Sequence, residues 1–175
     1  MSKALRITLV VIIVLLIVIA IQPTDFRYSR TITVAAPASA SFAQVNDFHK
    51  WVEWSPWEKL DPTTKKTYGG APEGVGATYH WVGNAKVGEG RMIITESVPN
   101  ELIRITVSFL KPMKATNTIE FTFKEQNGQT DVTQSMFGKN AFMGKASSLF
   151  MNMDKMMSEN FDEGLAGIKA AAEAK

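Results

Sequence analysis

Three hydrophobic rhythms run along the chain, and each predicts a different element. The first has no polar face: Ile7 to Ile21, ITLVVIIVLLIVIAI, carries one hydroxyl and no charge. Lys3 and Arg6 precede it, and Gln22-Pro23 ends it. Counted from Ala4 the run is 18 residues, against the roughly 20, with a lower limit near 17, that a bilayer span needs. Arg6 can snorkel toward headgroups. A transmembrane helix is expected over residues 4–21.

The second rhythm has period two. Arg30 to Ala36 alternates, with Ile32 and Val34 on one face, and reads as a strand that Pro37 stops. Residues 22–29 before it read as a linker. From Thr63 the alternation returns: Thr63–Tyr68, Gly76–Val82, Lys86–Ser97, Glu101–Leu110, Lys114–Lys124 and Thr130–Phe137. Ala77, Tyr79 and Trp81 share one strand face, and Val132, Gln134 and Met136 share another. Gly69-Gly70-Ala71-Pro72, Gly83-Asn84, Pro99-Asn100 and Asn127-Gly128 supply the turns.

The third rhythm is helical. Two short helices are expected between the first two strands, one opened by Pro37 and one over Asp47–Trp54 that ends at Ser55-Pro56. A single long helix is expected from Met143 to Ala172, about 45 Å at 1.5 Å per residue. Its apolar stripe is Ala146, Phe150, Met153, Met157, Phe161, Gly164, Leu165 and Ile168. Hairpin-linked strands form an antiparallel sheet whose apolar face must be covered, and only this helix is large enough to cover it.

Composition narrows the function. The chain has 175 residues, 45% hydrophobic and 21% charged, which suits one domain plus the apolar segment. Outside residues 1–22 the bases and acids balance at 17 each, with no basic run, so nothing pulls nucleic acid toward the domain. There is no cysteine, hence no disulfide, thiolate metal site or Cys nucleophile. Lys3 and Arg6 favour a cytoplasmic N-terminus. The apolar segment reads as an uncleaved signal anchor, with a cleaved secretory signal as the rival. Both place residues 23–175 on the exported side of a membrane, periplasmic or extracellular. The expected organisation is an anchor over 1–22, a linker over 23–29 and one domain over 30–175.

Particular residues carry a resemblance. Val34-Ala35-Ala36-Pro37, Trp54-Ser-Pro-Trp57 followed by Asp61-Pro62, and Gly74-Val-Gly-Ala77 leading to Trp81-Val-Gly-Asn84 occur in this order. Gly88-Glu-Gly-Arg-Met92, Phe109-Leu-Lys-Pro112, Thr130-Asp-Val-Thr133 and Phe161-Asp-Glu-Gly-Leu165 follow. Together they resemble the START-like, helix-grip (SRPBCC) superfamily, in its bacterial polyketide cyclase branch, over residues 30–172. The resemblance implies an α+β helix-grip fold: a curved seven-stranded antiparallel sheet around a long C-terminal helix, with a hydrophobic cavity between them. The set is more specific for fold than for function, because one scaffold hosts many roles.

Trp51, Trp54 and Trp57 lie within seven residues. In the family pattern this segment closes one end of the grip, so the rings are plugs, cavity wall or, least in keeping with their distance from Ile21, membrane contacts. Met136, Met143, Met151, Met153, Met156 and Met157 cluster in 22 residues, as a Met-rich core or as the adaptable wall of a cavity. The candidate wall is Trp54, Trp57, Tyr79, Trp81, Phe109, Phe121, Met136, Phe150, Met153 and Met157. His49 and His80 have no motif around them. Glu89, between two glycines inside a strand, and His80 are the weak catalytic candidates; Glu53 and Arg104 are further polar groups to place. No P-loop, nucleophile elbow or metal-spaced set is visible, and no cofactor is expected. Two readings follow: a tethered module binding a hydrophobic small molecule or lipid, and a cyclase-like enzyme using the same cavity. A chaperone-like interaction domain is a weaker third.

Overall fold

The computed structural model describes residues 2–150 and 152–174; Met151 and the side chains of Met143 and Phe150 lie outside the described residues. The apolar N-terminal run forms α1 (Lys3–Ile21), capped by Ser2, whose hydroxyl accepts from the Leu5 amide. It is long and apolar enough to cross a membrane, and Ile19 is its one buried residue. Three residues later the sheet begins.

Seven strands follow the period-two pattern: β1 (Asp25–Val34), β2 (Lys65–Gly70), β3 (Ala77–Val82), β4 (Glu89–Val98), β5 (Leu102–Lys111), β6 (Ala115–Gln126) and β7 (Gln129–Lys139). They form one antiparallel sheet in the order β1-β7-β6-β5-β4-β3-β2. Five of the six pairs are neighbours in sequence. The exception places β1 beside β7, joining the two ends of the domain. Asn127-Gly128 turns β6 into β7 with both residues at positive φ, 53° and 75°.

Two expectations need correction. Residues 25–29 are not linker: β1 starts at Asp25, paired with Lys139 of β7, and alternates in exposure along its whole length. The inward Phe26 and Tyr28 are partly buried against the core, whereas outward Arg27 donates to Glu120 at 2.9 Å and covers the Phe137 ring at 4.7 Å. The C-terminal helix is not continuous: α4 (Phe142–Phe150) and α5 (Met153–Glu173) are separate. Asn152 leaves helical geometry and its side chain accepts from the Lys155 amide at 3.0 Å, with Asp154 in the first turn. That is an N-cap with favourable charge, which starts a new helix rather than continuing the old one.

The concave face of the sheet holds the core. Ile94, Ile103, Ile105, Phe121 and Val132 are fully buried beneath Phe161, Leu165 and Ile168 of α5. Between β1 and β2 the chain makes α2 (Ala38–Asn46), a 3-10 turn (Phe48–Lys50), α3 (Trp51–Trp54) and a second 3-10 turn (Pro56–Lys59). This segment packs against α5 and closes one end of the grip. The convex face is polar: Arg104 bridges Glu120 and Glu96, and Arg27 joins Glu120 from the other side. Burial works to raise the Glu120 carboxyl, but the hydrogen bonds from Arg104 and Arg27 outweigh it and hold the group below the usual range.

Candidate functional site

The tryptophans divide by what their nitrogens can reach. Trp51 and Trp54 sit one helical step apart on α3, 7% and 3% exposed, and donate to the carbonyls of Val45 at 3.1 Å and Gln44 at 3.0 Å. Satisfying the indole N–H is what permits such burial. Their centroids are 4.7 Å apart, and both meet Phe121 edge-on. Trp57, beyond Pro56, is 43% exposed. Glycines on α5 seat this segment: a Cβ on Gly167 would lie 2.8 Å from the Trp54 carbonyl oxygen.

Between α5 and the sheet lies a cavity of about 160 Å³. Tyr79 and Trp81 of β3, Met92 of β4, Val107 and Phe109 of β5, Ile119 of β6, and Gln134 and Met136 of β7 line it. Trp51, Trp54, Trp57 and Glu58 close one side, and Met157, Asn160, Phe161 and Gly164 of α5 form the roof. A rigid cavity of about 150 Å³ with apolar walls accommodates benzene, so the present space suits one ring or a short acyl segment. Aromatic contacts continue along the wall: Tyr68 to Tyr79 at 5.3 Å, Tyr79 to Trp81 at 5.8 Å and Trp81 to Phe109 at 6.1 Å.

The candidates named from the sequence separate as follows. Trp54, Trp57, Tyr79, Trp81, Phe109, Met136 and Met157 border the cavity. Phe121 does not; it is fully buried behind Trp51 and Trp54. Met153 is half-buried in the first turn of α5, one turn before Met157, and is not among the lining residues. The Phe150 side chain lies outside the described residues. Glu89 and His80 are away from the lining: Glu89 pairs with Lys111 at 2.7 Å and His80 at 3.6 Å. The Lys111 hydrogen bond leads the effects that lower the Glu89 carboxyl. Its flanking glycines serve packing instead, since a Cβ on Gly90 would fall 2.3 Å from the Trp81 ring. Arg104 lies in the outer ion network, His49 stacks on Tyr68 at 4.2 Å, and Glu53 is exposed.

Sequence reasoning missed the polar groups. Glu58, in the second 3-10 turn, has a side chain only 8% exposed and pairs with Lys66 of β2. The Tyr79 hydroxyl donates to its other oxygen at 2.8 Å. Burial, then the Glu58 hydrogen bond and charge, push the Tyr79 phenol well above its ordinary value. Gln134 is 8% exposed, and its Oε1 is buried with no hydrogen-bond partner. Its signal was a polar side chain in phase with Val132 and Met136. Glu58 had no such signal, because irregular turns carry no period. Among the described residues no group of three or more His, Cys, Asp or Glu could hold a metal ion.

A family model described as polyketide cyclase / dehydrase and lipid transport matches residues 25–173. No curated protein matches the chain. Among solved structures, the Zhui aromatase/cyclase from Streptomyces sp. R1128 superposes with a TM-score of 0.63 at 15% identity, covering 85% of this chain and 94% of that one. Protein CV1439 from Chromobacterium violaceum gives 0.61 at 16%, covering 88% and 100%. The Aha1 dimer from Colwellia psychrerythraea gives 0.57 at 16%, covering 85% and 97%. At such identities the likeness is one of fold.

Proposed function

Since this chain belongs to the polyketide cyclase / dehydrase and lipid transport family of the START-like superfamily, we propose that it is a membrane-tethered module that takes up a hydrophobic small molecule or lipid between its sheet and α5. The observation that carries this reading is the composition of the cavity wall. Aromatic and thioether side chains dominate, as in sites that hold apolar ligands with a few placed polar groups. Methionines at positions 92, 136 and 157 let the wall adapt to shape. The tether is α1, which ends three residues before β1, and Lys145 of α4 lies 3.4 Å from the Ala20 carbonyl. In this reading the domain sits on the exported face, against the bilayer that dissolves its ligand.

One observation favours a second reading, catalysis on a polyketone-like chain. Glu58 is a shielded carboxylate touching a phenol at the cavity edge, an arrangement able to move a proton. Against it, Glu58 already holds Lys66 and Tyr79.

Native mass spectrometry of the full chain in lipid nanodiscs, with organic extraction, tests the first reading. The expected result is a defined small molecule released from the protein-containing discs and absent from empty ones. Discs from which no such molecule is released, and which take up no added aromatic or acyl compound, overturn it. Turnover of a poly-β-ketone analogue that is lost in Glu58→Gln would establish the second.

A further inference from the structure

Resting on the tether proposed above, we infer that one end of the sheet is a docking face for anionic lipid headgroups, carried by Lys65, Lys86, Lys114 and Lys139. Antiparallel pairing decides which residues share that end. Asp25, where β1 starts, is paired with Lys139, where β7 ends; Phe109 near the end of β5 is paired with Ala115, the first residue of β6. Val82, where β3 ends, is paired with both Glu89 and Lys65. The start of β2, the β3–β4 turn, the β5–β6 turn and the β7–α4 junction therefore form one rim, and α1 joins the domain at that same rim.

The rim is basic. Lys65, Lys86, Lys114 and Lys139 are exposed. Among the described residues, the lysine ion pairs belong to Lys59, Lys66, Lys111, Lys155 and Lys169, so these four ammoniums have no acidic partner. Of the acids at this end, Asp61 is spent on the Thr63 and Asn84 amides and Glu89 on Lys111, which leaves Asp25. Met113 and Phe142 add half-exposed apolar side chains among the charges. Ammonium groups beside apolar side chains suit an interface where phosphates overlie acyl chains. The far rim contrasts. Its turns, residues 71–76, 99–101 and 127–128, contain Glu73 and Glu101 and no base. Lys124, a little way in from it, is paired in register with Asp131.

The position of α1 fixes the partner. Its residues from Leu5 to Ile17 are exposed, so it leaves the domain from this rim rather than packing along the sheet. A bilayer holding α1 brings its headgroup layer to the lysines. Each lysine near an anionic surface favours docking by roughly fivefold, and the effect fades over a screening length of about 8 Å at physiological salt. Outside residues 1–22 the bases and acids balance at 17 each, so the rim orients a neutral domain rather than drawing it in by net charge. Thr64 and Val87 of the cavity lining sit on loops of this rim, so docking turns that end of the cavity toward the lipid.

The test uses the full chain, which has no cysteine of its own. Ala85→Cys on the rim and Gln129→Cys at the far end, both at exposed positions, are labelled singly with an environment-sensitive dye. Strands of 10–12 residues set the two labels roughly 30 Å apart. Each protein is reconstituted into phosphatidylcholine bilayers with or without phosphatidylglycerol, and a lipid bearing a nitroxide on its headgroup quenches dye that comes near. Retention of the chain through an alkaline carbonate wash reads the tether separately. Quenching at 85 is expected to be several-fold stronger with phosphatidylglycerol and to fall to the neutral-lipid level near 1 M salt, where the screening length is about 3 Å. Combining Lys65→Gln, Lys86→Gln, Lys114→Gln and Lys139→Gln is expected to abolish the lipid dependence, and the label at 129 is expected to stay unquenched. The salt arm reads the unsubstituted lysines alone, so it decides the matter should the fourfold variant not fold. Equal quenching at 85 in the two lipids, stronger quenching at 129, or a lipid dependence that survives either salt or the four substitutions overturns the inference and leaves the tether standing. Release of the chain by the wash overturns both.

Discussion

The Trp81 indole occupies the space a side chain at position 90 would need: a Cβ on Gly90 would fall 2.3 Å from Cζ2 and 2.5 Å from Cη2 of that ring, and 2.8 Å from the Ser108 carbonyl oxygen. The ring therefore packs directly against the Gly90 backbone of β4, on the wall of the cavity. Gly90→Ala forces the indole forward. The expected outcome is a destabilisation of about 1–3 kcal/mol, as for other overpacked sites, with ligand affinity down tenfold or more. Urea unfolding and a shift in tryptophan emission check it.

Gly164→Ala works in the opposite direction. Its methyl would meet Pro56 Cδ at 3.4 Å, Trp54 Cζ3 at 3.7 Å and Gln134 Oε1 at 3.8 Å, all ordinary contacts. Alanine is the better helix former by about 1 kcal/mol. Thermal stability is expected to rise while ligand affinity falls several-fold. A variant that gains stability with undiminished affinity would show that the ligand does not approach α5 at this point.

Tyr79→Phe removes the hydroxyl that donates to Glu58. A hydrogen bond to a charged group is worth about 1.5–3 kcal/mol, and one side of this site is open at Trp57, so a loss of about 1–2 kcal/mol is expected in chemical denaturation.

Alkaline titration gives a further check. All three tyrosines are raised, each chiefly by burial: Tyr28 then by Asp154, Tyr68 then by Glu58, and Tyr79 then by its Glu58 hydrogen bond. A raised folded value favours the protonated form, so this contribution is complete below the unfolded tyrosine value near 10 and declines as pH climbs past it. Absorbance at the phenolate band should stay low through about pH 10 and then appear together with loss of tryptophan structure. Ionisation of all three phenols in a still-folded domain near pH 10 would contradict the burial of Tyr79.

On the acid side, Glu120 titrates below its ordinary range. Its contribution is complete above the unfolded glutamate value, about 4.3, and is lost as pH falls through the folded value. Glu120→Gln should therefore flatten the decline in melting temperature between neutral pH and about pH 3.

Where alternation was strong, the chain announced its structure. Along β5, Ile103, Ile105, Val107 and Phe109 alternate with polar positions; the first three are buried and Phe109 borders the cavity. The same logic put Tyr79 and Trp81 side by side, 5.8 Å apart. β1 was under-read at its start because Asp25, Arg27 and Ser29 look like linker; their polarity belongs to an outer face paired with β7. The break at Asn152 carried no proline or glycine, and an asparagine is ambiguous between helix interior and cap until its side chain is seen accepting from Lys155. Glu89 looked like a buried acid because glycines flank it, yet those glycines answer to Trp81 and to the Lys111 carbonyl, 2.2 Å from a Cβ on Gly88. Polar groups at the cavity depend on a register across elements, Glu58 with Lys66 and Tyr79, which no single periodicity encodes.

Only Gln22, Pro23 and Thr24 separate α1 from β1, a reach of roughly 10 Å when fully drawn out, and Thr24 is itself held by the Asn140 amide at 2.7 Å. If α1 crosses a bilayer, this leash is too short for the domain to roam or to ferry cargo across a compartment. A ligand taken up under the proposed function would then be collected and given up at the surface where the helix emerges, to neighbours in that same plane.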